Sequence, residues 1–290
     1  MGASQTKQGP GSWPSVAIIL LNWNGWRDTL ACLASLEKLD YPNYQIVVVD
    51  NGSTDESVAR IRGSFPHAYL LKAQKNLGFS GGSNIGIHYA LEHGADYIWL
   101  LNNDTVVEAN TLRALVATAE ANPRIGAVGS VLHYMNQPKR VQAWGGGWVK
   151  MLLGVTGLHQ TLVPVEKLDY ISGASVLVRS KALEEVGVLD DRFFLYWEDT
   201  DLSFRLRKAG WLLQVADEAR VFHKGFASVG PRSLLLDRYF NVSAAHFFQK
   251  HSTIPLIPIV IGIGSRMVKR VLQGRFSHVL YVLRDVRRRL

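Results

Sequence analysis

The residues of this chain with chemistry to offer are carboxylates, amides and His223, and most stand at the end of an apolar run. Asp50 closes IVVVD, where its carboxylate would accept a hydrogen bond from a base or sugar, or simply form the turn that follows. Asp104 closes YIWLLNND, a place for a metal ligand or, again, a turn after a strand. Glu198, Asp199 and Asp201 crowd into FFLYWEDTD. Acids beside such bulky apolar side chains are costly unless they act or cap a helix. Asp201 is expected to cap a helix beginning at Leu202, which leaves Glu198 or Asp199 free as a general base. His223, in VFHKG, is on its own as readily a structural histidine as a ligand.

Several chemistries are disfavoured by what the sequence lacks. It contains no Walker motif, and Gly78, Gly81, Gly82 and Gly86 miss the spacing of a dinucleotide fingerprint. No Gly-x-Ser-x-Gly elbow is present, and the single cysteine, Cys32, sits on an apolar helix face. One cysteine also excludes an intramolecular disulfide and a cysteine-built zinc site.

Residues 16–21 (VAIILL), 46–49 (IVVV) and 97–101 (YIWLL) are continuous apolar runs, the pattern of strands buried on both faces. Residues 69–72 add a short strand. Helices are expected between them: one capped by Asp28, one starting at Ser53 or Thr54, and one entered through a glycine loop at residues 78–82 and running to about residue 92. Strand and helix alternate, which implies an α/β fold with a mostly parallel sheet and helices on both faces. Ligands in such sheets sit beyond the carboxyl ends of the strands. Asn22 and Asn24, Asp50 and Asn51, and Asn102, Asn103 and Asp104 should therefore line one crevice.

The 290 residues carry a net charge of +8, but residues 265–290 hold eight basic residues against one acid, so the body is almost neutral. Residues 254–264 (IPLIPIVIGIG) are apolar but too short to span a bilayer, which needs about 20 residues. After them Val268, Leu272, Phe276, Val279, Leu283, Val286 and Leu290 fall at steps of three and four, as one helical stripe. This tail is read as an interfacial anchor on an anionic membrane, or else as a helix packed on the body or on a second copy of the chain. Nucleic-acid binding has no recognised module behind it.

Taken together and in order, VAIILLNWNG, IVVVDNGSTDES, KNLGFSGGSNIGI, YIWLLNNDTVV, DYISGASVLVRSKALEEVGVLDDRFFLYWEDTDLSFRLRKAGW and ARVFHKG resemble the inverting family 2 glycosyltransferases of the GT-A fold, most closely the bacterial rhamnosyltransferase-like branch of cell-surface polysaccharide synthesis. The resemblance implies a GT-A, Rossmann-like domain over residues 14–230. Residues 1–13, rich in Gly, Ser and Gln, are expected to be disordered, and residues 231–290 to form a helical, basic association region.

By that resemblance Asn22, Asp50 and Asn51 hold the base and ribose of a nucleotide-diphosphate sugar, with Asn76, Gly78 and Phe79 shaping the nucleotide side. Asn102, Asn103 and Asp104 stand where the family has Asp-x-Asp, Asn102 replacing the common first aspartate. Asp104 would bind Mg²⁺ or Mn²⁺, with His223 as second metal ligand. Asp199 matches the catalytic base, with Glu198 and Trp197 beside the acceptor. The implied donor is dTDP-rhamnose or a UDP-sugar, and the acceptor a glycan or lipid-linked glycan. The first fifteen residues do not read as a secretory signal, so the expected location is cytoplasmic, peripheral at the inner face of the membrane. Two rivals are a sugar-phosphate nucleotidyltransferase, against which the turn NWNGWRD argues, and a non-catalytic carbohydrate-binding relative.

Overall fold

The computed structural model describes residues 13–225 and 234–289, so residues 1–12, expected to be disordered, lie outside the described residues. Strands β1 (Val16–Asn22), β2 (Tyr44–Asp50), β3 (Tyr69–Lys72) and β4 (Tyr97–Asn102) lie in the order β3-β2-β1-β4 with parallel pairing throughout. Their apolar runs are continuous because both faces are covered. Val16, Ile18 and Leu20 pack with Leu33 and Leu36 of α1 (Trp26–Leu36), Ile61 of α2 (Ser57–Ser64) and Leu112 of α4 (Thr111–Glu120). The alternate residues Ala17 and Ile19 pack on the other face, with Ile87 and Ala90 of α3 (Gly78–Glu92). Each fully buried aliphatic side chain of this kind stabilises the fold by roughly 1.5–3 kcal/mol.

The sheet continues from β4 through β11 (Ser175–Arg179), β6 (Ile125–Tyr134) and β12 (Leu212–His223) to the short β5 (Thr105–Val107). Here β6 and β12 are parallel, while β11 is antiparallel to both its neighbours. Strand β7 (Gln137–Trp144) pairs with β6. A small second sheet, in the order β10-β8-β9, is formed by β8 (Gly146–Lys150), β9 (Val155–Leu158) and β10 (Tyr170–Ile171). Helix α5 (Ser180–Val186) follows β11, and α6 (Glu198–Lys208) precedes β12.

Several expected helix starts are displaced. Asp28 lies inside the first turn of α1, and its carboxylate pairs with Lys224 at 3.1 Å instead of capping. Helix α2 begins at Ser57, not at Ser53 or Thr54, because the Ser53 hydroxyl accepts hydrogen bonds from the Asn22 amide and the Asn24 N–H. The glycines expected to form a loop belong to α3 itself. A Cβ on Gly82 would stand 2.5 Å from Leu21 Cδ1, and one on Gly86 2.6 Å from Ile19 Cγ2. They let the helix lie flush on β1.

The C-terminal part is α7 (Leu234–His251), α8 (Leu256–Leu272) and α9 (Phe276–Arg289). The apolar tail is two helices meeting at Gly274, whose φ of +70° ends α8, and not a single stripe. Its apolar positions divide between two faces. Val279 and Val286 turn inward to a cluster with Val242, Phe247 and Phe248 of α7, whereas Val268, Leu272, Phe276 and Leu283 are exposed. Leu290 lies outside the described residues. The basic residues divide likewise: Arg270 donates to Asp237 at 2.6 Å, while Lys269 and Arg284 are exposed.

Candidate active site

Register alone brings the first polar clusters together. Asn22 stands opposite Asp50, and Leu21 opposite Asn102, so three carboxyl ends of adjacent strands share one rim. The buried Asn22 amide donates to Asp50 Oδ1 at 3.0 Å, and Asn22 Oδ1 accepts from the Thr29 hydroxyl at 2.8 Å. That hydroxyl accepts in turn from Asn103 Nδ2 at 2.9 Å. Asp50 Oδ2 accepts the Ser53 N–H at 3.1 Å. Each carboxylate oxygen retains a second acceptor direction.

Asn51, expected on the base and ribose, has its side chain engaged within the chain. Its amide donates to Asn76 Oδ1 and Gly78 O, each at 3.0 Å, and its oxygen accepts the Leu77 N–H. It braces the 76–78 turn. Gly78, at φ +79°, lies so close to Phe194 that a Cβ would be 2.3 Å from that carbonyl. The Phe79 N–H donates to the same oxygen at 2.6 Å. Asn76, Gly78 and Phe79 thus connect the rim to the segment that carries the acids.

Past β4 the chain turns so that Asp104 meets His223 at the end of β12, with Oδ1 3.2 Å from Nε2. Asn102 Nδ2 is 3.3 Å from the same nitrogen, and His223 Nδ1 is 2.8 Å from Gln142 Oε1. An amide oxygen only accepts, so Nδ1 donates to Gln142, which turns the Nε2 edge of the ring toward Asp104 and the crevice. Burial pushes the Asp104 carboxyl up, but its contact with His223 outweighs this and holds it below the usual range. An oxygen and a nitrogen donor this close suit adjacent positions on one divalent cation. No group of three or more His, Cys, Asp or Glu side chains suited to a metal occurs among the described residues.

The acids of residues 198–201 take three separate roles. Asp201 is not a cap, because α6 starts at Glu198. It is wholly buried, with Arg205 at 2.8 Å, Lys250 at 2.8 Å and His251 at 2.7 Å, and it ties α6 to α7. Burial raises its pKa, yet these three partners prevail and hold it low. Glu198 points inward, with Oε2 buried and unpartnered. Burial first, then the neighbouring Asp199, hold its carboxyl well above the usual range. Asp199 is only half-buried. Its Oδ2 accepts the Gly173 N–H at 2.8 Å, and its Oδ1 accepts from the Thr200 N–H and hydroxyl. Burial raises its pKa, with these donors acting in the opposite direction. Asn102 N–H donates to Ala174 O at 3.0 Å, so two hydrogen bonds and one peptide link the end of β4 to Asp199.

Trp197, expected beside the acceptor, is instead packed in the core. It is 3% exposed, and its ring lies 4.8 Å from Phe247, 5.4 Å from Phe248 and 5.6 Å from Phe240, all on α7. The reason is backbone geometry: Tyr196 and Trp197 both have left-handed φ, +69° and +70°. Such residues cost of order 1–3 kcal/mol each, and the aromatic contacts to α7 offset that cost. Thr29, Gln142, Lys224 and Gly173 belong to the site but were not singled out from sequence. Only the positions after the strands carried a signal. Cys32 is buried under the site, and desolvation pushes its thiol up to about 12, which leaves it inert as a nucleophile.

The model of the family described as "Glycosyl transferase family 2" matches residues 15–187. The chain belongs to this family. Of the relatives, an N-acetylglucosaminyl-diphospho-decaprenol L-rhamnosyltransferase of Mycobacterium tuberculosis is 29% identical over 221 residues, 68% of this chain and 72% of that protein. Galactofuranosyltransferase GlfT1 of the same species is 29% identical over 188 residues, 63% of this chain and 60% of its own. Among solved structures, the mannosyltransferase PcManGT from Pyrobaculum calidifontis, in complex with GDP-Man and Mn²⁺, superposes with TM-score 0.62 at 16% identity, covering 98% of this chain and 77% of its own. GalNAc-T7 with UDP, GalNAc and Mn²⁺ gives 0.68 at 16% identity, over 82% and 48%. This family 2 chain therefore has the GT-A fold and is a glycosyltransferase. The acids of residues 198–201 and His223 lie beyond the span that the family model matches.

Proposed function

We propose that this glycosyltransferase moves a hexose from a nucleoside-diphosphate donor to a glycan or lipid-linked acceptor, with inversion at the anomeric carbon. Similarity to an N-acetylglucosaminyl-diphospho-decaprenol L-rhamnosyltransferase supports a rhamnosyl donor, taken here as dTDP-rhamnose with UDP-sugars as the alternative, and a lipid-diphosphate-linked acceptor, and work at the inner face of the membrane follows from such an acceptor. The observation that carries the reading is the convergence of Asn22 and Asp50 with the Asp104–His223 contact on one rim, two hydrogen bonds from Asp199.

In this scheme Asn22 and Asp50 receive the base and ribose, and Asn51, with Asn76, holds the wall behind them. Asp104 and His223 would hold Mn²⁺ or Mg²⁺. When bound, that ion offsets the negative charge growing on the departing diphosphate. Asp199 takes the proton of the acceptor hydroxyl. The hydroxyl oxygen bonds to the anomeric carbon as the bond to the diphosphate breaks, and a single displacement inverts the centre. The raised pKa of Asp199 suits a base, and its three donors keep the carboxylate aimed. Glu198, inward and unpartnered, is the poorer candidate.

A donor screen by calorimetry tests this, using dTDP-, UDP- and GDP-sugars with and without Mn²⁺. One nucleotide should bind in a metal-dependent way, with Asp104→Ala abolishing the metal dependence. Saturation at about 100 times Kd should stabilise the fold by roughly 2.7 kcal/mol. Absence of binding by all three classes would favour the non-catalytic relative.

A further inference from the structure

Helix α8 has two faces of opposite character. Ile259, Ile263 and Met267 turn to the cluster shared with α7, while Ile257, Val260, Ile261, Val268 and Leu272 face outward, Val260 at 67% and Leu272 at 82% exposed. Past the Gly274 elbow α9 repeats the pattern. Val282 and Val286 are buried, and Phe276, Leu280 and Leu283 are exposed. One exposed apolar face therefore follows both helices.

The body adds to this face from a distant part of the sequence. The turn between β8 and β9 sits against α8: a Cβ on Gly154 would be 2.0 Å from Pro258 O and 3.0 Å from Gly262 Cα. Arg266 Nη1 donates to Gly154 O at 2.9 Å. The turn is thereby fixed on α8, and the two residues before Gly154, Leu152 (64% exposed) and Leu153, project into solvent beside it. Two exposed leucines on a turn fixed against an exposed apolar helix face extend that face into one contiguous patch, the kind that marks an interaction surface.

The charges say what covers this face. Asp285, the one acid in α8 and α9, takes Arg238, and Asp237 of α7 takes Arg270 and His278, so neither adds negative charge to the face. Lys150 beside the turn, Lys269 on α8 and Arg284 on α9 are exposed. An apolar face with a cationic rim and paired acids matches an anionic lipid surface in both polarity and charge. A second copy would bring the same positive rim against itself. No helix among the described residues is long and apolar enough to cross a membrane, so the face would lie on the bilayer.

We propose that the β8–β9 turn, α8 and α9 form one composite docking face for an anionic lipid bilayer, with Leu152 and Leu153 inserted beside the helices. This deepens the membrane reading above by adding the turn. β8 pairs with β10, and Gly173, two residues beyond β10, holds Asp199. Docking the turn therefore fixes the base relative to the bilayer.

The test is flotation of the full chain with vesicles of phosphatidylglycerol and phosphatidylcholine, against phosphatidylcholine alone. The wild type should float with the anionic vesicles, at least tenfold more tightly than with the neutral ones, and less well as salt rises. Leu152→Asp with Leu153→Asp should weaken binding tenfold or more, and Lys269→Glu with Arg284→Glu should remove the preference for anionic lipid. Failure of the wild type to float, or unchanged flotation of the leucine pair variant, overturns the proposal. So does light scattering that shows a dimer dispersed by the same pair, since a second copy would then cover the face. Circular dichroism and donor calorimetry on each variant separate these outcomes from misfolding. They also separate the two readings: donor binding without flotation sinks only the docking face, and flotation without donor binding sinks only the proposed donor reaction.

Discussion

Two adjacent acids, Glu198 and Asp199, begin α6, yet the backbone sends them to opposite surroundings. Asp199 is gripped by N–H donors at the crevice, and Glu198 is buried with an oxygen unpartnered. Asp199→Asn should lower kcat by roughly 10²–10⁴-fold with little change in donor KM, since only proton transfer is lost. Glu198→Gln should act mainly on stability. The Glu198 carboxyl is held above its unfolded value, so folding favours its neutral form. The stability from this group is therefore complete at low pH and is lost as pH rises through the folded value. The amide should raise Tm at pH 7 by about 2–4 °C, on the order of 1 kcal/mol, with no gain near pH 4. Thermal unfolding at both pH values checks this; an equal gain at both would remove the titration from the explanation. Asp104 has the opposite sign. Held low by His223, it contributes stability above the usual carboxylate range that is lost only as pH falls through its depressed value.

At the scale of elements, α3 shows how the same residue type has opposite effects in two helices. Gly86→Ala places a methyl 2.6 Å from Ile19 Cγ2 and 3.1 Å from Val49 Cγ2. Overpacking of about 1–3 kcal/mol exceeds the helix-propensity gain of about 1 kcal/mol, so this variant should be destabilised. Gly63, in α2, has open space around it, and Gly63→Ala should be stabilising by up to about 1 kcal/mol. Denaturant unfolding of the two variants should move their midpoints in opposite directions. The strands were legible from sequence because burial on both faces leaves an unbroken apolar run, and the three strand-end clusters followed from them. Helix starts were less legible. Asp28, Ser53 and Asp201 look like caps, but their side chains serve Lys224, Asn22 and a cluster from α7. A short polar residue after a strand offers a local and a long-range partner equally, and sequence separation does not say which wins. Trp197 was misplaced for the same reason: its partners, Phe240, Phe247 and Phe248, lie more than 40 residues on.

In the whole molecule, α7 is what joins the catalytic sheet to its C-terminal helices. Lys250 and His251 meet Asp201, Phe240 meets Tyr196 and Trp197, and Val242, Phe247 and Phe248 carry the cluster that reaches α8 and α9. Phe240→Ala should accordingly loosen the turn before Glu198 while leaving Asn22 and Asp50 in place. The expected result is a kcat reduced tenfold or more with donor Kd within about twofold, measured by calorimetry beside steady-state kinetics. A parallel loss of donor affinity would show that α7 supports the nucleotide side as well.

The left-handed pair Tyr196–Trp197 also sets an order of events during synthesis. Asn22, Asp50 and Asn102 belong to parallel strands that leave the ribosome early and pack on helices made with them. The turn that aims Asp199 has no counterweight until residues 240–248 have followed. In the proposed scheme a nascent chain would therefore complete the strand-end rim before the segment that carries Asp199, and the competence to transfer a sugar would arrive last, together with the helices that carry the exposed apolar face.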